Sequence, residues 1–118
     1  MNLEGFRSYC LAKPGVTEEF PFGDDVMVMK VLGKMFAAAD VELFESINLK
    51  CDPERAVELR EQYAGVVPGY HMNKKHWNTV LMDGTMPDKL VMGWIDDSYQ
   101  LVCSSLTKVQ QKKLQSKK

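Results

Sequence analysis

Apolar residues open the chain at Leu3, Phe6 and Cys10, the i, i+3, i+7 spacing of one helix face, with Asn2 before them as an N-cap. Pro14-Gly15 ends that helix, because proline brings no amide donor and glycine favours a turn. Val16 to Gly23 then reads as a loop, in which Phe20, Pro21 and Phe22 are expected to tuck into the edge of the core. After it the period shortens. Asp25 to Leu32 alternates in part, with Met27, Met29 and Val31 on one side and Val26, Val28 and Lys30 on the other. Gly33-Lys34 supplies a tight turn, which makes Met35 to Asp40 the returning strand of a hairpin. Phe44 to Leu49 is a third strand, with Ser46 and Asn48 opposite Ile47 and Leu49. Connections this short favour antiparallel pairing.

Asp52-Pro53 begins a second helix: the aspartate caps it, and proline at the first helical position gives up an amide that would have no partner there. Ala56, Leu59 and Tyr63 form its inward stripe, and Gly65 is placed to stop it. Val66 to Tyr70, interrupted by Pro68-Gly69, is irregular or a fragment of edge strand. Trp77 to Met82 has strand composition and ends at Asp83-Gly84. Thr85 and Asp88 outline a capping box, followed by Val91, Trp94, Ile95, Ser98 and Val102 at helical spacing, with Leu90 and Leu101 widening the stripe. A last amphipathic segment, Thr107 to Leu114, closes the chain. The order α-β-β-β-α-β-α-α predicts an α+β two-layer sandwich, an antiparallel sheet with helices on one face.

Composition agrees with one globular domain over residues 1–118, with a basic tail from about residue 107: 45% of residues are hydrophobic and 26% charged. The longest apolar run, Met35 to Ala39, is far short of a membrane span, and the N-terminal turns carry Glu4 and Arg7 where a secretory signal would be apolar. A cytoplasmic monomer is the expectation. Cys10, Cys51 and Cys103 are far apart and odd in number, which excludes a zinc ribbon and a disulfide framework; all three read as small buried hydrophobes. Charge is nearly balanced in total but not along the chain. Residues 1–73 hold 7 Lys/Arg against 12 Asp/Glu, and residues 74–118 hold 8 against 4.

That asymmetry directs attention to Lys74-Lys75-His76-Trp77-Asn78-Thr79, two cations, an imidazole, an indole and two hydrogen-bonding side chains in six positions. Lysines neutralise phosphates, an exposed Trp77 would stack on bases, and Asn78 would pair with base edges. The same residues have a structural reading. On a strand Trp77, Thr79 and Leu81 share a face, so Trp77 equally suits the core, and Asn78 and Thr79 suit local backbone capping. Lys34, at a hairpin tip, suits either a phosphate contact or protection of an edge. Glu18, Glu19, Asp24 and Asp25 surround Phe20-Pro21-Phe22 without a histidine at ligand spacing, and Asp96 and Asp97 point apart on a helix. No phosphate loop, dinucleotide fingerprint or nucleophile elbow is present. No catalytic residue, metal or cofactor is therefore expected.

Three segments in order, Pro14 to Ala37, Ile47 to Tyr63 and Gly69 to Val80, resemble the YjbR/MmcQ family of small bacterial proteins, most specifically at Met72-Asn73-Lys74-Lys75-His76-Trp77-Asn78-Thr79-Val80. The resemblance implies a CyaY/frataxin-like sandwich and a non-enzymatic, double-wing type of DNA-binding protein. On that reading Lys74, Lys75, His76, Trp77, Asn78 and Lys34 form the nucleic-acid site, and binding to DNA is weak and salt-sensitive because the pI is near 6.1. The alternative is a domain that binds a protein or small molecule in a groove near Trp77, Tyr70 and His71.

Overall fold

A computed structural model describes residues 1–69 and 72–116, in the order α1 (Leu3–Leu11), β1 (Val16–Glu19), β2 (Val26–Val31), β3 (Lys34–Asp40), β4 (Ser46–Lys50), α2 (Pro53–Gln62), β5 (Val66–Pro68), β6 (Trp77–Leu81), α3 (Asp88–Ser104) and α4 (Lys108–Ser116). The strands form one antiparallel sheet in the order β1-β2-β3-β4-β6-β5. The α+β architecture is the expected one, with two additions. Val16–Glu19, read as a loop, is a strand, and Val66–Pro68 is a complete if short one. They are the two edges of the sheet, and each exists by pairing with a single neighbour rather than by its own hydrophobic alternation.

Register decides which face is core. Met27 lies opposite Ala39, Ala39 opposite Ile47, Ile47 opposite Val80 and Val80 opposite Val66. This row joins Phe6 and Cys10 of α1, Leu59 of α2, and Val91, Trp94, Ile95, Tyr99 and Val102 of α3 in one buried cluster. Small Ala37 and Ala39 leave room for α3 to lie close on β3. Between Met29 and Lys30 the register slips, so Phe36 is an extra residue in β3. Phe36 and Ala37 are consequently both in the core, and the Phe36 ring meets Tyr99 edge-on at 5.4 Å.

Caps follow the sequence where the motif is complete. Asn2 accepts from the Gly5 amide at 2.8 Å and Asp52 from the Arg55 amide at 3.4 Å. Thr107 and Gln110 bond each other's amides, a capping box at the start of α4. The Thr85–Asp88 box does not form. Thr85 bonds to Asp83 instead, and Pro87 is the N-cap without a side-chain bond, while the N-terminal amine meets Asp88 at 2.5 Å. Helix α2 stops at extended Tyr63 before Gly65 is reached. The β2–β3 turn centres on Leu32 and Gly33, both at positive φ, rather than on Gly33-Lys34. Leucine is an unusual choice there; its side chain packs against the core cluster. Phe20 and Phe22 are 42% and 68% exposed, so the loop aromatics do not tuck in as expected. Cys10 is buried, but Cys51 and Cys103 are only half-buried.

Candidate nucleic-acid interface

The antiparallel order sets the strand ends in two groups. Lys34 begins β3, Lys50 ends β4 opposite Trp77, and Lys74 and Lys75 lie in the turn just before β6. All four therefore stand at one end of the sheet. Arg60 of α2 reaches the same place and donates to the Lys74 carbonyl at 3.1 Å. The loops at the other end carry Asp24, Asp25, Asp40, Glu42, Glu45 and Asp83. The lengthwise charge asymmetry of the sequence becomes, in part, a spatial one.

The turn before β6 is built by Asn73. Its carbonyl accepts from the amides of His76 and Trp77, and its side chain accepts from the Lys75 amide at 2.9 Å. The His76 carbonyl accepts from Cys51 at 2.7 Å, fastening the turn to the end of β4. Lys74 and Lys75 are exposed and His76 is half-buried. Lys34 is engaged differently: its ammonium donates to the Ser105 carbonyl at 3.2 Å, just past the C-terminus of α3, where a cation is favourable.

Two of the six expected contact residues are not at the surface. Trp77 is 8% exposed, on the sheet face away from the helices, and pressed against Gly69, where an added Cβ would come within 3.0 Å of the Trp77 backbone. It has no face to offer a base. Asn78 is 2% exposed and points to the helix side, where its Nδ2 donates to the Ala56 carbonyl at 3.2 Å. The register of Val80 with Ile47 fixes this outcome, since Asn78 must share Val80's face. Thr79 is paired with Asn48 across the strands at 2.6 Å. Tyr70 and His71, named for the alternative groove, lie outside the described residues. Lys50 and Arg60 are the residues that sequence reading left out of the site. Arg60 looks like an ordinary solvent-facing helix position until α2 is set beside the turn.

The acidic residues near Phe20 are used structurally. Glu18 holds Arg7 at 2.5 Å, and Glu19 is bonded to Thr17 and Lys30, which keeps its carboxyl below the usual range. No group of three or more His, Cys, Asp or Glu among the described residues is placed to hold a metal ion. On α3, Asp96 joins Lys13 and the Tyr9 hydroxyl (2.7 Å), while Asp97 points elsewhere. No helix among the described residues is long and apolar enough to cross a membrane.

The YjbR family model matches residues 11–101, which include every strand and most of the helical core. The chain belongs to the YjbR family. It is 36% identical to the uncharacterised protein YjbR of Escherichia coli K12 over 97% of this chain and 98% of that one. It is likewise 36% identical to the uncharacterised protein YbdF of Escherichia coli O157:H7 over 94% and 92%. A crystal structure from Deinococcus radiodurans, described as a DUF419 domain, superposes with a TM-score of 0.88 at 42% identity, covering 96% of this chain and 87% of the other. A Pseudomonas syringae crystal structure gives a TM-score of 0.72 at 31% identity, covering 86% and 98%. The fold is thus shared with these two solved structures.

Proposed function

We propose that this YjbR-family protein is a non-enzymatic, cytoplasmic DNA-binding protein that holds the phosphate backbone at the basic end of its sheet. The observation that carries this reading is the convergence of Lys50, Arg60, Lys74 and Lys75 from two neighbouring strands and a helix. Lys34 and the lysines of α4 extend the same end. Burial of Trp77 shapes the mode of binding. Single-strand binders stack bases on exposed rings. Among the described residues the large exposed rings, Phe20 and Phe22, belong to the acidic end. Backbone contact with a duplex is the better match, with little discrimination between sequences.

A net charge of −1 limits such binding to a few phosphates, so affinity is modest and falls quickly with salt. Fluorescence anisotropy of a short labelled duplex at low salt tests it. Replacing Lys74 and Lys75 together by alanine should weaken binding about tenfold and flatten the log–log salt dependence by about 2. Binding unchanged by that double substitution would overturn the site.

A further inference from the structure

The sheet has a second face, turned away from the helices. Register sets Val28, Ala38, Asn48 and Thr79 across it in one row, with Val26 opposite Asp40 a step nearer the acidic end. On this face lies a groove of about 510 Å³, lined by the strand residues Val26, Ala38 and Asn48 and by Phe22 and Met72 from two loops. Asp40 and Glu45 line it at the acidic end. Phe20 and Leu43, exposed like Phe22, stand in the loops of that end. The loops are tied together, the Val41 amide donating to the Asp25 carbonyl at 2.9 Å. Asp24, Asp25, Glu42 and Glu45 are exposed there, and no cation among the described residues pairs with any of them. Exposed apolar side chains rimmed by unneutralised charge of one sign suit a partner of the opposite sign.

We propose that this groove docks an amphipathic helix of a partner protein, with aliphatic side chains along one face and lysines or arginines beside them. Charge sets the sign, because the unpaired carboxylates attract a basic segment and repel an acidic one. Backbone pairing sets the conformation. Strands β2, β3 and β4 each have a neighbour on both sides, so their amides and carbonyls are used within the sheet. A segment lying across them gains no ladder bonds and must satisfy its own backbone, as a helix does and an extended strand does not. Helices already pack in this way on the opposite face. Small Ala38 gives the groove depth for a large side chain, and Met72 is a flexible one that adapts to it. The groove shares no residue with the phosphate-binding set, and either site can fail without the other.

Fluorescence anisotropy of a labelled peptide with the intact protein tests this. The probe has about 14 residues, with leucine at i, i+3, i+4 and i+7 and lysine between. It should bind, with methyl chemical-shift changes centred on Val26, Ala38 and Met72. Serine in place of its leucines, or glutamate in place of its lysines, should each weaken binding by about tenfold or more. Phe22→Ser removes an exposed ring without changing charge or core, so it separates docking from plain charge attraction. It should weaken the peptide about fivefold and leave duplex binding unchanged. No binding of the leucine–lysine peptide, equal binding of the serine peptide, or full affinity in Phe22→Ser would each overturn the proposal. So would sedimentation that shows a native dimer dissociated by Phe22→Ser, since a second copy would then occupy the groove.

Discussion

The β3–β4 pair is closed at both ends by a side chain that takes over from the backbone ladder, and the two closures differ in kind. At the basic end Ser98, fully buried on α3, donates to the Phe36 carbonyl at 2.5 Å and accepts from the Lys50 amide at 2.9 Å. At the acidic end Asp40 accepts from the amides of Glu45 and Ser46 at 3.1 and 3.3 Å, the first exposed and the second half-buried. One end is held by a neutral hydroxyl from a helix, the other by a carboxylate from the strand itself. Charge at the acidic end is therefore part of the loop's own construction; Asp83 does the same for Thr85. At the basic end the ladder is closed without charge, with Lys75 exposed and Lys50 half-buried beside it.

The strongest way to break this contrast is Ser98→Ala. It orphans two buried backbone groups at once, and the expected loss is about 2–3 kcal/mol of stability, read by urea denaturation. Ser98→Thr, which keeps the hydroxyl, should lose less. Equal stability of Ser98→Ala and the native protein would mean that the ladder closes without α3.

Charge reversal comes next. Lys74→Glu with Lys75→Glu should weaken duplex binding by about 2 kcal/mol, roughly thirtyfold at low salt, because two attractive contacts become repulsive. The paired change at the other end, Glu42→Lys with Glu45→Lys, should leave affinity within about threefold. If the second pair changes affinity as strongly as the first, binding follows total charge and the two ends are equivalent.

The sequence made the central elements legible because their signals are local: Asp52-Pro53 before Ala56 and Leu59, or the apolar spacing from Val91 to Val102, need no partner to be read. The edges were less legible: Val16–Glu19 read as loop, and Val66–Pro68 read only as irregular chain or a fragment of edge strand. Val16–Glu19 and Val66–Pro68 carry glutamates and a proline, as suits edges that must not recruit further strands, and those residues hide the strand from pattern reading. At the site, Lys74 and Lys75 were readable as exposed cations beside a turn. Trp77 and Asn78 were not, since a one-residue alternation assigns them to opposite faces without saying which face the helices cover. Lys50 and Arg60 joined the cluster only through strand register and helix docking, which are tertiary facts.

A smaller effect concerns how α1 is fastened to α3. Burial acts to raise the Asp96 pKa, but bonds from Lys13 and the Tyr9 hydroxyl outweigh it and hold the carboxyl below its usual value. The Tyr9 phenol is pushed up to about 12, first by its bond to Asp96. A carboxylate with a lowered folded-state pKa adds stability above its unfolded value, about 3.9, and loses it as the pH falls further. The tyrosine contribution is full below about pH 10 and is lost as the pH rises through about 12. Asp96→Asn should therefore cost about 1–2 kcal/mol between these limits, discounted because Asp96 is partly exposed. The difference from the native protein should shrink below about pH 4. Denaturation at several pH values checks both slope and sign.

The smallest effect expected is at the acidic closure. Asp40→Ala removes the acceptor for two amides, but the Glu45 bond is exposed and the Ser46 bond only half-buried, so water largely replaces it and the loss should be about 1 kcal/mol. The loop it closes is not relaxed, since Phe44 sits at φ 47, a left-handed conformation costly for an aromatic residue, with its ring 5.7 Å from Phe6. Two forces thus hold this loop, the carboxylate and the aromatic contact, whereas Ser98 has no such companion at the other end. Amide exchange separates them. In Asp40→Ala the amides of Glu45 and Ser46 should lose protection while those of Ile47 and Leu49 keep it. Loss of protection through Leu49 would show that the acidic closure supports the strand pair as strongly as Ser98 does, and the contrast between the ends would fail.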